Sequence, residues 1–288
     1  MSCVDVKRII MTLKNYQDLF FKKLNSKFNK NELEEFFFWI TEHYCNVNRL
    51  KYILNPDFNL DNNQELNLLN AVNYLKKNMP IQYVVETTEF FNLNFSLNKY
   101  VLIPRPETEE LVSWILSEFP KNKSILDIGT GSGCIAVSLA KFSDSCEVSA
   151  WDIDQNILDL ATKNATINKV KVYYEIQDIL SINSNKKFDI IVSNPPYVTL
   201  DEKKLMKENV LLFEPHKALF VYDKNPLFFY IKIIQFAKKS LNKDGLLFFE
   251  INENIKDELL KLLIKQGFYD IEVKKDFRSK NRMIKASF

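Results

Sequence analysis

Ser124-Ile125-Leu126-Asp127-Ile128-Gly129-Thr130-Gly131-Ser132-Gly133 passes from an apolar run into three glycines at alternate positions, and a helical pattern follows over about 133–142. A short apolar run closed by glycines reads as a buried strand, and the turn after it opens a helix. The alternation continues downstream. Strands are expected at 124–128, 146–152, 170–176, 188–193, 246–251, 269–275 and 282–288, with helices at about 133–142, 155–168, 226–241 and 254–266. Such alternation builds a parallel sheet covered on both faces. The expected class is α/β with seven strands. The last runs antiparallel, because the hairpin-like Arg278-Ser279-Lys280-Asn281 precedes it. Ligands in these sheets sit at the carboxyl ends of strands, where the strand order reverses.

The chain has 288 residues and only five glycines, so spending three in one loop is informative. The other two, Gly245 and Gly267, are expected at helix ends in the left-handed conformation. Glycine lets a ligand approach the backbone, and a helix start offers free N–H groups. A dinucleotide fingerprint would need glycine or alanine where Cys134 stands. Asp127, ahead of the turn, would repel a pyrophosphate but accept from an ammonium. Gly129, Thr130, Gly131, Ser132 and Gly133 with Asp127 therefore read as the seat of an amino-acid group. Asp152 ends the next strand about 20 residues on, where an acid commonly takes ribose hydroxyls; it could instead cap the helix starting near Asp154. Asp178 follows the third strand and could accept from an adenine amino group, with Ile179 against the ring; it could instead cap a turn. A ligand with an amino acid, a ribose and an adenine is S-adenosylmethionine.

The fourth strand runs into Phe188-Asp189-Ile190-Ile191-Val192-Ser193-Asn194-Pro195-Pro196-Tyr197. Proline cannot continue a central strand, so the strand stops at about Ser193. Each proline fixes its own φ, and Pro195 holds Asn194 extended. A stiff corner results. The Asn194 oxygen and the Pro195 carbonyl are two fixed acceptors, suited to the two donors of a substrate NH2 group. Pro196 stiffens the bend, and Tyr197 offers a flat face to a planar group. The bland alternative is a proline-rich loop with an asparagine starting a turn.

Upstream, residues 1–79 read as a small bundle of four or five helices. Its apolar positions include Leu13, Tyr16, Leu19, Phe20 and Leu24, then Leu33, Phe36, Phe37, Ile40 and Tyr44, then Leu66, Leu69, Ala71, Val72 and Leu75. Phe36-Phe37-Phe38-Trp39 reads as core, with a partner-binding face as the alternative. Residues 80–104 change towards a period of two and are expected to form a β-hairpin linker. Residues 105–288 hold the sheet. Pro106 suits the first turn of a helix, with Glu107, Glu109 and Glu110 near its positive end and Leu111, Val112, Ile115, Leu116 and Phe119 on its buried face. Net charge is +2, from 39 basic and 37 acidic residues, which argues against stable binding of a long nucleic acid. No apolar run approaches the ~18 residues of a membrane span. Four cysteines without a C-x-x-C pair and only two histidines, His43 and His216, argue against a metal site; Cys45 with His43 could be a ligand or nucleophile-base pair but reads as ordinary helix residues, and the thiols fit a reducing cytoplasm.

Asp127-x-Gly-x-Gly-x-Gly133 with Asn194-Pro195-Pro196-Tyr197 resembles the amino-methyltransferases. Pro80-Ile81-Gln82-Tyr83, Glu89-Phe90 and Ile103-Pro104-Arg105-Pro106-Glu107-Thr108-Glu109 are similar to one branch, the release-factor glutamine methyltransferases. The resemblance covers nearly the whole chain from Pro80, and the helical bundle matches in kind only. It implies a Rossmann-like methyltransferase sheet with S-adenosylmethionine as cofactor. It also implies methylation of the glutamine amide nitrogen in the Gly-Gly-Gln loop of class I peptide release factors, with the 1–79 bundle binding the release factor. Asn194, Pro195 and Tyr197 would then be catalytic. Asn194 would touch both cofactor and substrate, and Pro195, Pro196 and Tyr197 would complete the substrate seat. Glu86 and Asn92 stand where the family has glycines, Val221-Tyr222 replaces a glycine pair, and Asn252 replaces another glycine. A ribosomal-protein glutamine methyltransferase, a nucleic-acid amino-methyltransferase and a non-catalytic adenine-nucleotide binder are the rival readings. Arg105 and Glu107 either serve the substrate or form a salt-bridged helix entrance.

Overall fold

The structure, a computed structural model, describes residues 11–118, 121–182, 184–199, 201–221 and 225–288. Phe119 and Tyr222, singled out above, lie outside the described residues, as do residues 1–10. The chain divides into two compact units, 1–86 and 87–288.

The first unit holds α1 (Leu13–Leu24), α2 (Lys30–Cys45), α3 (Arg49–Leu54), α4 (Asn62–Lys76) and the single turn α5 (Ile81–Val84). Thr12, Asn29 and Asp61 each start a helix with a reciprocal capping box, which satisfies donors that the first turn leaves free. Tyr16, Phe20, Phe37, Ile40 and Leu75 are fully buried in one core, where the Tyr16 hydroxyl donates to the Leu68 carbonyl at 3.0 Å. The stripe of α4 is Leu68, Ala71, Val72 and Leu75; Leu66, expected inside, is 58% exposed. One residue in 3.6 can face the axis of a bundle, so in the aromatic run only Phe37 is fully buried and Trp39 is exposed. Residues 81–84, expected in the hairpin region, form α5 instead.

The second unit opens with the hairpin β1 (Thr87–Phe90) and β2 (Leu93–Ser96). Phe91 and Asn92 make its two-residue turn, both left-handed (φ 51° and 57°), as the twist of such hairpins requires. Glu86 is also left-handed (φ 52°), so two positions expected as glycines keep a glycine-like backbone. Tyr100–Ile103, read as part of the hairpin, is not a strand. There follow α6 (Pro106–Ser117), β3 (Ser124–Ile128), α7 (Cys134–Phe142), β4 (Glu147–Asp152), α8 (Gln155–Ile167), β5 (Tyr173–Ile176) and β6 (Phe188–Ser193). Then come α9 (Glu208–Phe213), α10 (His216–Leu219), α11 (Phe228–Ser240), β7 (Leu241–Glu250), α12 (Lys256–Lys265), β8 (Tyr269–Lys275) and β9 (Asn281–Ser287).

The sheet order is β5-β4-β3-β6-β7-β9-β8. All neighbours from β5 to β7 are parallel, and β9 lies antiparallel between β7 and β8. The order reverses between β3 and β6, the two strands that lead into the glycine turn and the proline corner. Two apolar layers cover the sheet, one under α11 and α12 and one under α6 and α7. Gly245 corrects an expectation. It lies inside β7, where the pairing with β6 shifts register between Phe188 and Ile190, and the left-handed residue is its neighbour Asp244 (φ 60°). A Cβ at Gly245 would lie 2.8 Å from the Asn242 carbonyl oxygen, so close packing, not a helix end, requires this glycine. Gly267 follows α12 with φ 91°, as a helix-ending glycine does.

Candidate active site

Ile128 pairs with Ser193 across β3 and β6, so the residues that follow, Gly129 and Asn194, leave the sheet side by side. The Ser193 hydroxyl donates to the Ile128 carbonyl at 2.7 Å and ties the two strand ends together. The glycine turn is left-handed at Gly129, Gly131 and Gly133 (φ 74°, 54° and 81°). Nothing lies within 4 Å of a Cβ built at Gly129 or Gly131, whereas one at Gly133 would meet the Ala161 side chain at 3.1 Å. The first two glycines thus border open space and the third packs the helix.

Asp127 is fully buried beneath this turn. Its Oδ2 accepts from the Thr130 hydroxyl at 2.6 Å, and its Oδ1 has no hydrogen-bond partner. Burial pushes its carboxyl up to about 7, against the Thr130 hydrogen bond and with the Asp152 charge adding to the rise. A buried carboxylate with one empty oxygen beside an open glycine turn fits a ligand ammonium group. Asp152 ends β4 and takes the Gly131 N–H at 3.0 Å and the Ile153 N–H at 2.8 Å. It does not cap α8; Asp154 does, accepting from the Asn156 N–H at 2.9 Å. Asp178 accepts from the Leu180 N–H at 2.9 Å, so it does cap a turn, and Ile179 packs on the sheet core.

Residues 194–197 leave β6 as a loop. Pro195 is buried, and Asn194, Pro196 and Tyr197 are half-buried. Behind it lies a polar cluster that the sequence reading did not assign. Thr108, on the first turn of α6, donates to Glu250 Oε2 at 2.6 Å and lies 3.4 Å from Asn194 Nδ2. The Tyr197 hydroxyl faces Glu250 Oε1 at 3.4 Å, and the Tyr230 hydroxyl donates to the Glu250 carbonyl at 2.9 Å. Burial raises the Glu250 carboxyl above its ordinary range, while Thr108, Arg282 and Tyr197 oppose the rise. The signal was available: Glu250 ends an apolar strand, as Asp127 nearly does and Asp152 does. Asn164, also overlooked, is fully buried. Its side chain bonds the N–H and carbonyl of Ser96 (2.7 and 3.0 Å) and the carbonyl of Ser132 (2.9 Å), joining hairpin to glycine turn.

Arg105 donates to both oxygens of Glu214, at 2.6 and 2.7 Å, and Glu107 lies 3.6 Å from Arg278. Both residues are thus engaged in ion pairs at the entrance of α6.

Residues 108–220 match the family model "Methyltransferase small domain". A release factor glutamine methyltransferase of Flavobacterium psychrophilum is 46% identical over 96% of this chain and all of its own length. One of Bacteroides thetaiotaomicron is 42% identical over 84% of this chain and 87% of its own. Among solved structures, a methyltransferase from Pyrococcus furiosus superposes with a TM-score of 0.54 over 79% of this chain and 98% of its own, at 18% identity. The sheet order, the glycine turn and the acids at the strand ends define an S-adenosylmethionine-dependent methyltransferase. Within that class the chain belongs to the release factor glutamine methyltransferase family.

Proposed function

We propose that this protein methylates the side-chain amide nitrogen (N5) of the glutamine in the Gly-Gly-Gln motif of class I peptide chain release factors, in the cytoplasm. The observation that carries the reading is the pairing of Ile128 with Ser193, which sets a half-satisfied buried carboxylate beside an amide corner. Asp127 would hold the cofactor's ammonium, the 129–133 turn its amino-acid backbone, and Asp152 its ribose. Asp178 and Ile179 are the proposed adenine side: Asp178 Oδ1 caps the turn, and Oδ2, 3.4 Å from the Ser181 hydroxyl, would accept from the adenine amino group. The bound cofactor supplies an electrophilic methyl group on a sulfonium.

The remaining chemistry belongs to this chain. An amide nitrogen is a poor nucleophile because its lone pair is delocalised. Asn194 Oδ1 and the Pro195 carbonyl accept its two N–H bonds and hold it for in-line attack, with Tyr197 against the amide plane. Pro195 and Pro196 lack N–H groups that would compete at the corner. No strong base is needed, since the proton becomes acidic only as the new bond forms. Positioning of this kind is worth up to ~7–11 kcal/mol.

The 1–79 bundle is the proposed release-factor binder. Its support is an apolar face on α3, where Leu50, Ile53 and Leu54 are exposed, beside a groove of about 400 Å³ that Phe21, Phe38, Tyr52 and Ile53 help to line. Incubation with labelled cofactor and purified release factor, ribosomes or DNA tests the whole reading: label on the release factor alone is expected, and label on either rival overturns it. Asn194→Ala is expected to lower transfer by orders of magnitude and leave cofactor affinity nearly unchanged. Equal loss of both would show that Asn194 serves the cofactor instead.

A further inference from the structure

The cluster behind the corner has a directional property that the function above does not use. We propose that Glu250 is a positioning residue: acting through Thr108, it decides which end of the Asn194 amide faces the substrate. The inference rests on the reading of Asn194 as acceptor for the substrate NH2 group.

An asparagine side chain has a donor end and an acceptor end of nearly the same shape, and only the acceptor end can receive an amide N–H. Nothing in the proline bend itself distinguishes the two. The distinction comes from the proton count of its neighbour. Thr108 has a single hydroxyl proton and gives it to Glu250 Oε2 at 2.6 Å. Towards Asn194 Nδ2, at 3.4 Å, the hydroxyl oxygen can then only accept. The NH2 end of Asn194 is drawn to Thr108, and Oδ1 is left for the substrate. Carboxylate, hydroxyl and amide form one polarised chain, in which each link fixes the sense of the next.

Glu250 is placed for this task by the sheet. Ser193 pairs with Phe249 across β6 and β7, so Asn194 and Glu250 are the next residues of two adjacent parallel strands. The Tyr230 hydroxyl holds the Glu250 carbonyl, and its second carboxylate oxygen faces the Tyr197 hydroxyl at 3.4 Å. One carboxylate thereby reaches both substrate-facing side chains. The two 3.4 Å contacts are longer than ordinary hydrogen bonds, as such contacts often are before a substrate tightens them.

Replacing the carboxylate by an amide is the sharp test. In Glu250→Gln an NH2 group can donate to Thr108, the hydroxyl proton is freed towards Asn194, and the asparagine can turn over. Steady-state methylation of a purified release factor by the full-length chain would be measured for Glu250→Gln, Thr108→Val, Thr108→Ser and the double variant Thr108→Val/Glu250→Gln. Thr108→Val and Glu250→Gln should each lower kcat about 10- to 100-fold, the range for groups that orient a ligand from behind. Cofactor Kd should stay within about threefold, and the double variant should be no slower than the slower single one. Thr108→Ser, which keeps the proton, should restore kcat to within about threefold of the parent. Full kcat in Thr108→Val and Glu250→Gln, multiplying losses in the double variant, or a serine no better than valine would each overturn the proposal. Thr108→Val and Thr108→Ser differ in the hydroxyl at a fixed site, so comparing them stands even if Glu250→Gln fails to fold. Should Asn194→Ala itself be fully active, the reading of the corner fails; should it be inactive while the other variants keep kcat, only the present inference fails.

Discussion

Burial, with the Asp152 charge adding to it, pushes the Asp127 carboxyl up from its ordinary 3.8 to about 7. Two effects of opposite sign follow. An ammonium ligand needs the ionised form, so cofactor affinity should fall as pH drops below about 7, by up to about tenfold per pH unit. Calorimetric titration between pH 5.5 and 8 checks this, and Asp127→Asn should bind weakly with a flat profile. In the ligand-free protein, a carboxyl raised on folding stabilises the fold fully below about pH 4, and that contribution is lost as pH rises through about 7. The buried Asp152 is shifted the same way. Urea denaturation of the free protein should therefore show stability declining from pH 5 to 8, and bound cofactor should flatten the decline. Arg105 presents a second residue-scale case. Its partner Glu214 is almost wholly buried, so Arg105→Ala strands a charge and should cost about 3–5 kcal/mol in the same denaturation assay.

Among the elements, β3, β6 and the turns after them were legible because their chemistry is local: apolar strands, glycines with no side chain to clash, prolines that cannot stay in a ladder. The bounds of β6 and β8 came directly from their residues. What was not legible depended on partners distant in sequence. Thr108 and Glu250 are 142 residues apart, and nothing in either neighbourhood announces the other. Gly245 looked like a helix end because the bulge that needs it arises from pairing with β6. Leu66 and Leu68 lie on opposite sides of α4, and Leu68 is the one that shares a face with the buried Ala71, Val72 and Leu75. Asn164→Ala should lower stability by about 2–4 kcal/mol in urea melts, since it unpairs buried backbone groups of β2 and the glycine turn. Gly245→Ala should also destabilise, because its Cβ meets backbone rather than a side chain that can move. By contrast, the exposed Glu86 holds a conformation that costs an L-residue ~1–2 kcal/mol, so Glu86→Gly should leave the midpoint unchanged or raise it.

At the scale of the molecule, every residue proposed for the cofactor and the amide lies in the unit 87–288, and the proposed release-factor face lies in 1–86. The 87–288 fragment alone should bind cofactor with the affinity of the full chain and methylate a release factor far more slowly, a separation that equilibrium binding and labelled transfer would read independently. Among the described residues no helix is long and apolar enough to cross a membrane. The strand order carries one more consequence. Because β9 lies between β7 and β8 and is the strand that β8 pairs with, a chain cut before Asn281 would leave the edge of β7 unsatisfied and β8 without its ladder. A synthetic peptide of the missing sequence should add to the bared edge of β7 and draw β8 back onto its other side, which makes the protein a natural candidate for division into two self-assembling pieces.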